Sequence, residues 1–262
     1  MDRTELIQPE PAEALAALLG VPLPDVEAGL PLLWHWLYLL ERPAQADLGP
    51  DGHPVRGGVL APPGAGRRRM WAGGRVRTAG ALRCGEPATR HSEVVSTTEK
   101  HGRSGELTFV VVSHRVRQRG QVVVDERQDV VYREAGAALP SPAEGPVVPP
   151  AEGEWALEVT PTLLFRFSAL TYNAHRIHYD RGYSRDVEGY PGLLTHGPLQ
   201  ALAMAEAARA NGAGGDLDFE YRLVSPLFDH QGLIARADGA TTAVRDRHGR
   251  QTATGTLRAG EP

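Results

Sequence analysis

The chain has 262 residues, a formal net charge of −4 and a hydrophobic content of 41%. That hydrophobic content is enough to build a buried core and excludes a globally disordered chain. The negative charge argues against a general nucleic-acid binder, which needs a basic excess. Cys84 is the only cysteine, so no disulfide can form within the chain.

The amino-terminal residues, Met-Asp-Arg-Thr-Glu, lack the basic region and the apolar run of a signal peptide. The apolar stretch 30–40 is interrupted by His35 and is too short to span a bilayer. We therefore expect a cytoplasmic protein without a membrane partner.

The first half of the chain is predicted to fold as a helix, a loop and then strands. Residues 11–19 favour a short helix, and the stretch 30–40 favours a buried helix that ends before Pro43. Residues 47–69 are rich in Gly, Pro and Arg, which indicates an extended loop. Four stretches rich in Val and Thr then predict antiparallel strands joined by short turns, at 70–78, 88–100, 107–117 and 121–133.

The second half has a similar arrangement without a repeat of the sequence. Residues 135–153 are dominated by Ala, Pro, Gly and Glu, the composition of a linker. After a strand at 155–170 and a polar irregular segment, we expect a helix at 198–210 and strands at 218–223, 232–237, 241–245 and 251–257. One helix against several long antiparallel strands is an α+β pattern. Two such units side by side would form a pseudo-dimer within one chain.

The polar irregular segment holds the residues best suited to chemistry. His175 and His178 lie three positions apart, and Asn173 precedes His178 by five. Two histidines, even with Asp180 as a third ligand, make a weak zinc pattern, so we expect neither a metal nor another cofactor. For an arbitrary pair of histidines, capping a helix or packing on a sheet would be the simpler interpretation.

The start of the following helix favours a functional interpretation instead. Gly197 stands just before Pro198, and proline is typical of the first helical position. The N–H groups of a first turn are unpaired and the helix dipole favours negative charge there, which suits the polarisation of a carbonyl. A histidine with an ordinary pKa of about 6.5 can shuttle a proton. His178 and Gly197 are therefore the candidate general base and anion site.

Two stretches carry a resemblance to a known family: FRFSALTYNAHRIHYD at 165–180 and GYPGLLTHGPLQ at 189–200. They resemble the carboxyl-terminal half of the type-2 hydroxyacyl-thioester dehydratases, a MaoC-like group that includes mesaconyl-C4-CoA hydratases. RMWAGGR at 69–75, EKHGRSG at 99–105 and ERQDVVY at 126–132 are similar to that family's degenerate first hot dog. The resemblance implies a double hot-dog fold, in which each antiparallel sheet wraps around a helix. It further implies a non-catalytic half at 1–135, a linker at 136–153 and a catalytic half at 154–262.

The resemblance also implies roles for individual residues. MaoC-like hydratases carry an Asp-x-Asn-Pro-x-His pattern, and placing His178 on its histidine puts Asn173 on its aspartate. An amide cannot exchange a proton at neutral pH, so Asn173 is expected to position water or substrate. Either His178 makes both proton transfers or a neighbour supplies the second group, the candidates being His175, Tyr179 and Asp180. Gly197 falls on the position whose backbone N–H binds the thioester oxygen.

The implied reaction is the reversible addition of water to a 2-enoyl thioester. The expected substrate is a CoA ester with a mesaconyl-like or other short branched or dicarboxylic acyl group. His196 is expected to shape the pocket, and Arg166, Arg176 or Arg181 to meet a distal carboxylate. The alternatives are a 3-hydroxyacyl-ACP dehydratase and a catalytically silent subunit that binds acyl thioesters. A homodimer is the expected assembly if the chain associates further.

Overall fold

The computed structural model describes residues 1–60, 67–102, 105–134 and 144–260. The first half contains, in chain order, β1 (Asp2–Leu6), α1 (Glu10–Leu19), β2 (Arg67–Thr78), β3 (Pro87–Gly102), β4 (Gly105–Gln118) and β5 (Gln121–Glu134). The second half contains β6 (Trp155–Leu157), α2 (Pro161–Leu170), α3 (Arg181–Asp186), α4 (Gly197–Ala210), β7 (Leu217–Leu223), β8 (Leu233–Asp238), β9 (Thr241–Arg245) and β10 (Gln251–Ala259). Within these ranges, no helix has the length and apolar character needed to cross a membrane.

All ten strands form one antiparallel sheet, in the order β1-β3-β4-β5-β2-β7-β10-β9-β8-β6. The strands of the first half occupy one side of the sheet and those of the second half the other. They meet where β2 pairs with β7. The predicted α+β class is confirmed, and among the strands of the described residues the sequence interpretation missed only the short edge strand β1.

The core of the second half is α4, whose side chains are buried from Leu199 to Ala208. Its alanines let the helix approach β8 and β9 closely. Its buried polar side chains have partners, as burial requires. The Trp34 indole donates to Glu206 (2.8 Å), and the Thr252 hydroxyl donates to Gln200 (2.7 Å). The bond from Trp34 ties the first half of the chain to the central helix of the second.

The helix predicted at 30–40 is wrong, although its burial is right. Only a 3₁₀ turn forms, at Trp34–Leu37, and the left-handed backbone of Leu33 (φ 70°) and Leu39 (φ 56°) ends it on both sides. Trp34 and Tyr38 are buried. The side chains in this stretch reach separate partners, since the Trp36 indole donates to Glu126 (2.9 Å) while that of Trp34 reaches α4. These tertiary bonds override the helical pattern.

The strand predicted at 155–170 is also wrong beyond its first residues. The strand β6 is only three residues long, and α2 follows it. Thr160 caps this helix by accepting a hydrogen bond from the N–H of Leu163 (3.1 Å), and Pro161 occupies its first position. Thr-Pro before an apolar run is a start signal for a helix, and the burial of Leu164, Phe167 and Ser168 has the corresponding helical spacing.

The domain boundaries inferred from the sequence stay predictions. Residues 136–143 of the expected linker, and residues 103–104 of the EKHGRSG stretch, lie outside the described residues. Residues 144–153 are largely exposed and lack helix and strand. They lie along β9, where Arg245 donates to the carbonyls of Val148 (3.1 Å) and Pro149 (3.0 Å).

The junction between β2 and β7 depends on a glycine. A Cβ atom added at Gly73 would lie 2.4 Å from the carbonyl oxygen of Tyr221, so the two backbones must separate. We expect Gly73→Ala to lower the free energy of unfolding by about 1–3 kcal/mol, the usual cost of overpacking. Equilibrium unfolding in urea measures it. Gly214→Ala is the matched control, because nothing lies within 4 Å of its added Cβ; equal stability of the two variants would contradict this account of the junction.

Candidate active site

The polar segment between α2 and α4 is shaped by short local hydrogen bonds. The Asn173 side-chain oxygen accepts from the backbone N–H of His175 (3.0 Å), which forms a tight turn after α2. A 3₁₀ turn follows at Arg176–His178, and Asp180 then caps α3 by accepting from the N–H of Tyr183 (3.0 Å). These hydrogen bonds within the segment fix the path of the backbone between α2 and α3.

The side chain of His178 is oriented by a hydrogen bond to the backbone. Its Nδ1 lies 2.7 Å from the carbonyl oxygen of Leu194, and because a carbonyl only accepts, Nδ1 carries the proton. The other nitrogen, Nε2, is therefore the unprotonated acceptor of the ring. Burial lowers the pKa of His178 from 6.5 to about 4, and the bond to Leu194 opposes only part of that shift. At neutral pH the ring is an uncharged imidazole that can accept a proton.

Gly197 begins α4 three residues after Leu194. The chain here is fixed by backbone bonds from Leu194 to the carbonyl of Ile177 (3.0 Å) and from Thr195 to that of Leu227 (2.7 Å). A Cβ at Gly197 would lie 2.2 Å from Leu223 Cδ1, so glycine permits the close approach of β7. First-turn N–H groups have no intrahelical partner. The start of α4 therefore follows closely in sequence on Leu194, the hydrogen-bond partner of His178.

His178 and Gly197 line the same cavity, of about 870 Å³. Asn173, His175 and Tyr179 line it as well, so five of the residues predicted from the sequence come together there. The first half of the chain also contributes to the lining of this cavity. Its lining residues include Trp36, His53, Arg69, Trp71, Arg90 and Glu126.

The remaining predicted residues lie outside that lining. His196 is fully buried behind His178, with its ring stacked 3.6 Å away and its Nε2 bonded to Ser168 (2.8 Å). Asp180 pairs with Arg176 (2.8 Å), whose guanidinium also donates to the carbonyl of Pro50 (3.0 Å). Arg181 pairs with Asp229. Both arginines therefore already have acceptors, and the role predicted for them at a distal carboxylate stays a prediction.

The sequence interpretation missed His53, which lines the cavity, and its partner Asp51. They lie in the segment predicted as an extended loop, and Asp51 Oδ2 accepts from His53 Nδ1 (3.0 Å). Together with His175 they offer one ligand atom each within 4.8 Å of one another, so these residues could hold a metal ion. The available signal was an Asp-Gly-His sequence in a Gly- and Pro-rich loop, since loops often carry functional side chains.

Comparison with known proteins decides the family. The model of the hydroxyacyl-thioester dehydratase type 2 family matches residues 33–229. The chain belongs to this family. It is 46% identical over 248 residues to the mesaconyl-C(4)-CoA hydratase of Chloroflexus aurantiacus, covering 90% of this chain and 88% of that protein. The predicted enzyme class, a hydratase or dehydratase of acyl thioesters, is confirmed.

Solved structures of low sequence identity show the same fold. HtdX of Mycobacterium tuberculosis matches with a TM-score of 0.67 at 15% identity, over 99% of this chain and 100% of that one. A conserved protein of the same organism, described as having a double hot-dog fold, matches with a TM-score of 0.54 at 17% identity, over 97% and 92% of the two chains. The predicted double hot-dog fold is confirmed.

The tautomer and protonation of His178 can be measured directly. We expect the ¹⁵N shifts of labelled histidine to show a neutral, Nδ1-protonated ring for His178, with protonation only as the pH falls towards about 4. The low pKa follows because burial disfavours the charged ring. His178→Gln identifies the resonance by its loss. An Nε2-protonated ring, or a midpoint near 6.5, would contradict the assigned geometry.

Proposed function

We propose that the protein reversibly hydrates a 2-enoyl thioester, with a CoA ester of a short branched or dicarboxylic acid as its substrate. His178 is the general base, Asn173 positions water or substrate, and the Gly197 N–H binds the thioester oxygen. One observation carries the proposal: the neutral His178 ring and the start of α4 lie on one cavity wall, linked through Leu194.

In the proposed hydration, His178 takes up a proton and returns it, while the Gly197 N–H stabilises the charge that develops in between. The oxygen of water bonds to the β-carbon while one O–H bond breaks and its proton passes to His178 Nε2. The electron pair of the carbon–carbon double bond moves towards the thioester, where the negative oxygen of the enolate is stabilised by the Gly197 N–H. The proton then bonds to the α-carbon, and the thioester carbonyl re-forms. Dehydration is the reverse.

Among the candidates for a second proton-transfer group, the geometry favours His175. Its ring lies 5.4 Å from that of His178 and faces the cavity. The Tyr179 hydroxyl donates a hydrogen bond to the carbonyl of Ala174 (2.9 Å). The Asp180 carboxylate caps α3 and forms an ion pair with Arg176. The cytoplasmic location and the homodimer expected from the sequence stay predictions.

Replacing the proposed base tests the mechanism. We expect His178→Ala and His178→Gln to lower kcat by about 10²–10⁴-fold, the usual contribution of general acid–base catalysis. The loss of enoyl-CoA absorbance measures the rate. His91→Ala is the control, since His91 lies at the exposed β1–β3 edge. Unchanged turnover in the folded His178 variants would overturn the base assignment.

The thioester carrier is tested separately, with matched CoA and acyl-carrier-protein esters of one acyl group. We expect a higher kcat/KM for the CoA ester, in line with the CoA-dependent relative that this chain matches over most of its length. A preference for the carrier-protein ester would instead favour the 3-hydroxyacyl-ACP dehydratase alternative. No turnover of a broad panel by the unaltered protein would favour the silent binding subunit.

A further inference from the structure

The loop between α1 and β2 is fitted tightly onto the catalytic segment. Gly52 has a left-handed backbone (φ 88°), and a Cβ atom there would lie 1.9 Å from the carbonyl oxygen of Ala174. The backbone N–H of Arg176 donates to the carbonyl of Asp51 (2.9 Å), and its guanidinium donates to that of Pro50 (3.0 Å). The first half of the chain is thus held in register with the turn that carries His178.

Within this loop, Asp51 orients the ring of His53. One carboxylate oxygen accepts from the backbone N–H of His53 and the other from its Nδ1, both at 3.0 Å. With Nδ1 as the donor, Nε2 is the unprotonated acceptor. His53 therefore presents the same ring nitrogen as an acceptor as His178 does.

The two imidazoles belong to one surface. The His53 ring lies 3.9 Å from that of His175, which in turn lies 5.4 Å from that of His178. All three rings line the same cavity. The side chain of His53 is only 13% exposed. A water bound in a polar pocket needs two to four partners, and the acceptor nitrogens of His53 and His178 are two candidates in this cavity.

We propose that His53 is a second catalytic residue, whose Nε2 accepts a hydrogen bond from the attacking water, and that Asp51 is its positioning residue. This proposal rests on the proposed hydratase function and completes it. The water donates one O–H to His178, which removes that proton, and its other O–H to His53. The second O–H bond stays intact and becomes the hydroxyl of the product.

The competing role for these residues is metal binding, because Asp51, His53 and His175 form the candidate cluster described above. In the structure both carboxylate oxygens of Asp51 are already engaged by His53. That arrangement suits an oriented imidazole better than a carboxylate ligand with a free oxygen. The experiment must still separate the two roles.

The test compares His53→Ala, His53→Gln and Asp51→Ala by steady-state kinetics on an enoyl-CoA ester. We expect His53→Ala to lower kcat by about 100-fold, as misplacement of a reacting group does, with KM changed by less than about threefold. The glutamine side chain offers an oxygen acceptor near the position of Nε2, so we expect His53→Gln to regain about tenfold over alanine. Asp51→Ala should match His53→Ala, and the double variant should be no worse than either, because the pair acts as a unit.

Each failure has a separate signature. Retention of kcat by His53→Ala within about threefold would overturn the role of His53, whereas the absence of turnover in the unaltered protein would overturn the proposed function instead. Equal losses in the alanine and glutamine variants, with a lower Tm and a raised KM, would assign the pair a structural role. One zinc ion per chain by mass spectrometry, with activity lost on chelation and restored by zinc, would replace the water-binding role with a metal site.

Discussion

The hydrogen bond from His178 to the carbonyl of Leu194 is the contact on which the site depends. It fixes the tautomer of the ring and so leaves Nε2 free to accept a proton. Because Leu194 lies three residues before Gly197, the same bond links the position of the His178 ring to the start of α4. One contact therefore connects the proposed base to the proposed binding site of the thioester oxygen.

Burial provides the electrostatic setting for that contact. His178 packs face to face on His196 and edge to face on His175, and desolvation lowers the pKa of all three rings. Neutral imidazoles can lie side by side without the repulsion that charged ones would suffer. The first half of the chain closes this environment, since its loop packs on residues 174–176 and its strand β2 lines the cavity. The first half of the chain, which resembles a degenerate hot dog, therefore contributes residues to the candidate site.

Local pattern and motif were enough to predict the fold class, nine of the ten described strands at least in part, and a segment whose His178 and Gly197 line one cavity. They failed where long-range contacts decide the structure, and once where a local start signal for a helix was overlooked. The helix predicted at 30–40 does not form, because two indole groups of this stretch donate hydrogen bonds to the distant Glu126 and Glu206. The strand predicted at 155–170 is mostly a helix, whose start is capped by Thr160. His53 could not be found from spacing, because it lies more than a hundred residues from His178 and only tertiary packing brings them into one cavity.

The most direct measurement is a crystal structure of the His178→Gln variant with a bound enoyl-CoA. The account predicts the thioester oxygen at hydrogen-bonding distance, about 3 Å, from the Gly197 nitrogen. It further predicts that the β-carbon faces residue 178 across one ordered water. A thioester carbonyl bound away from the start of α4, with its β-carbon remote from residue 178, would contradict the claim that these two groups form one catalytic unit.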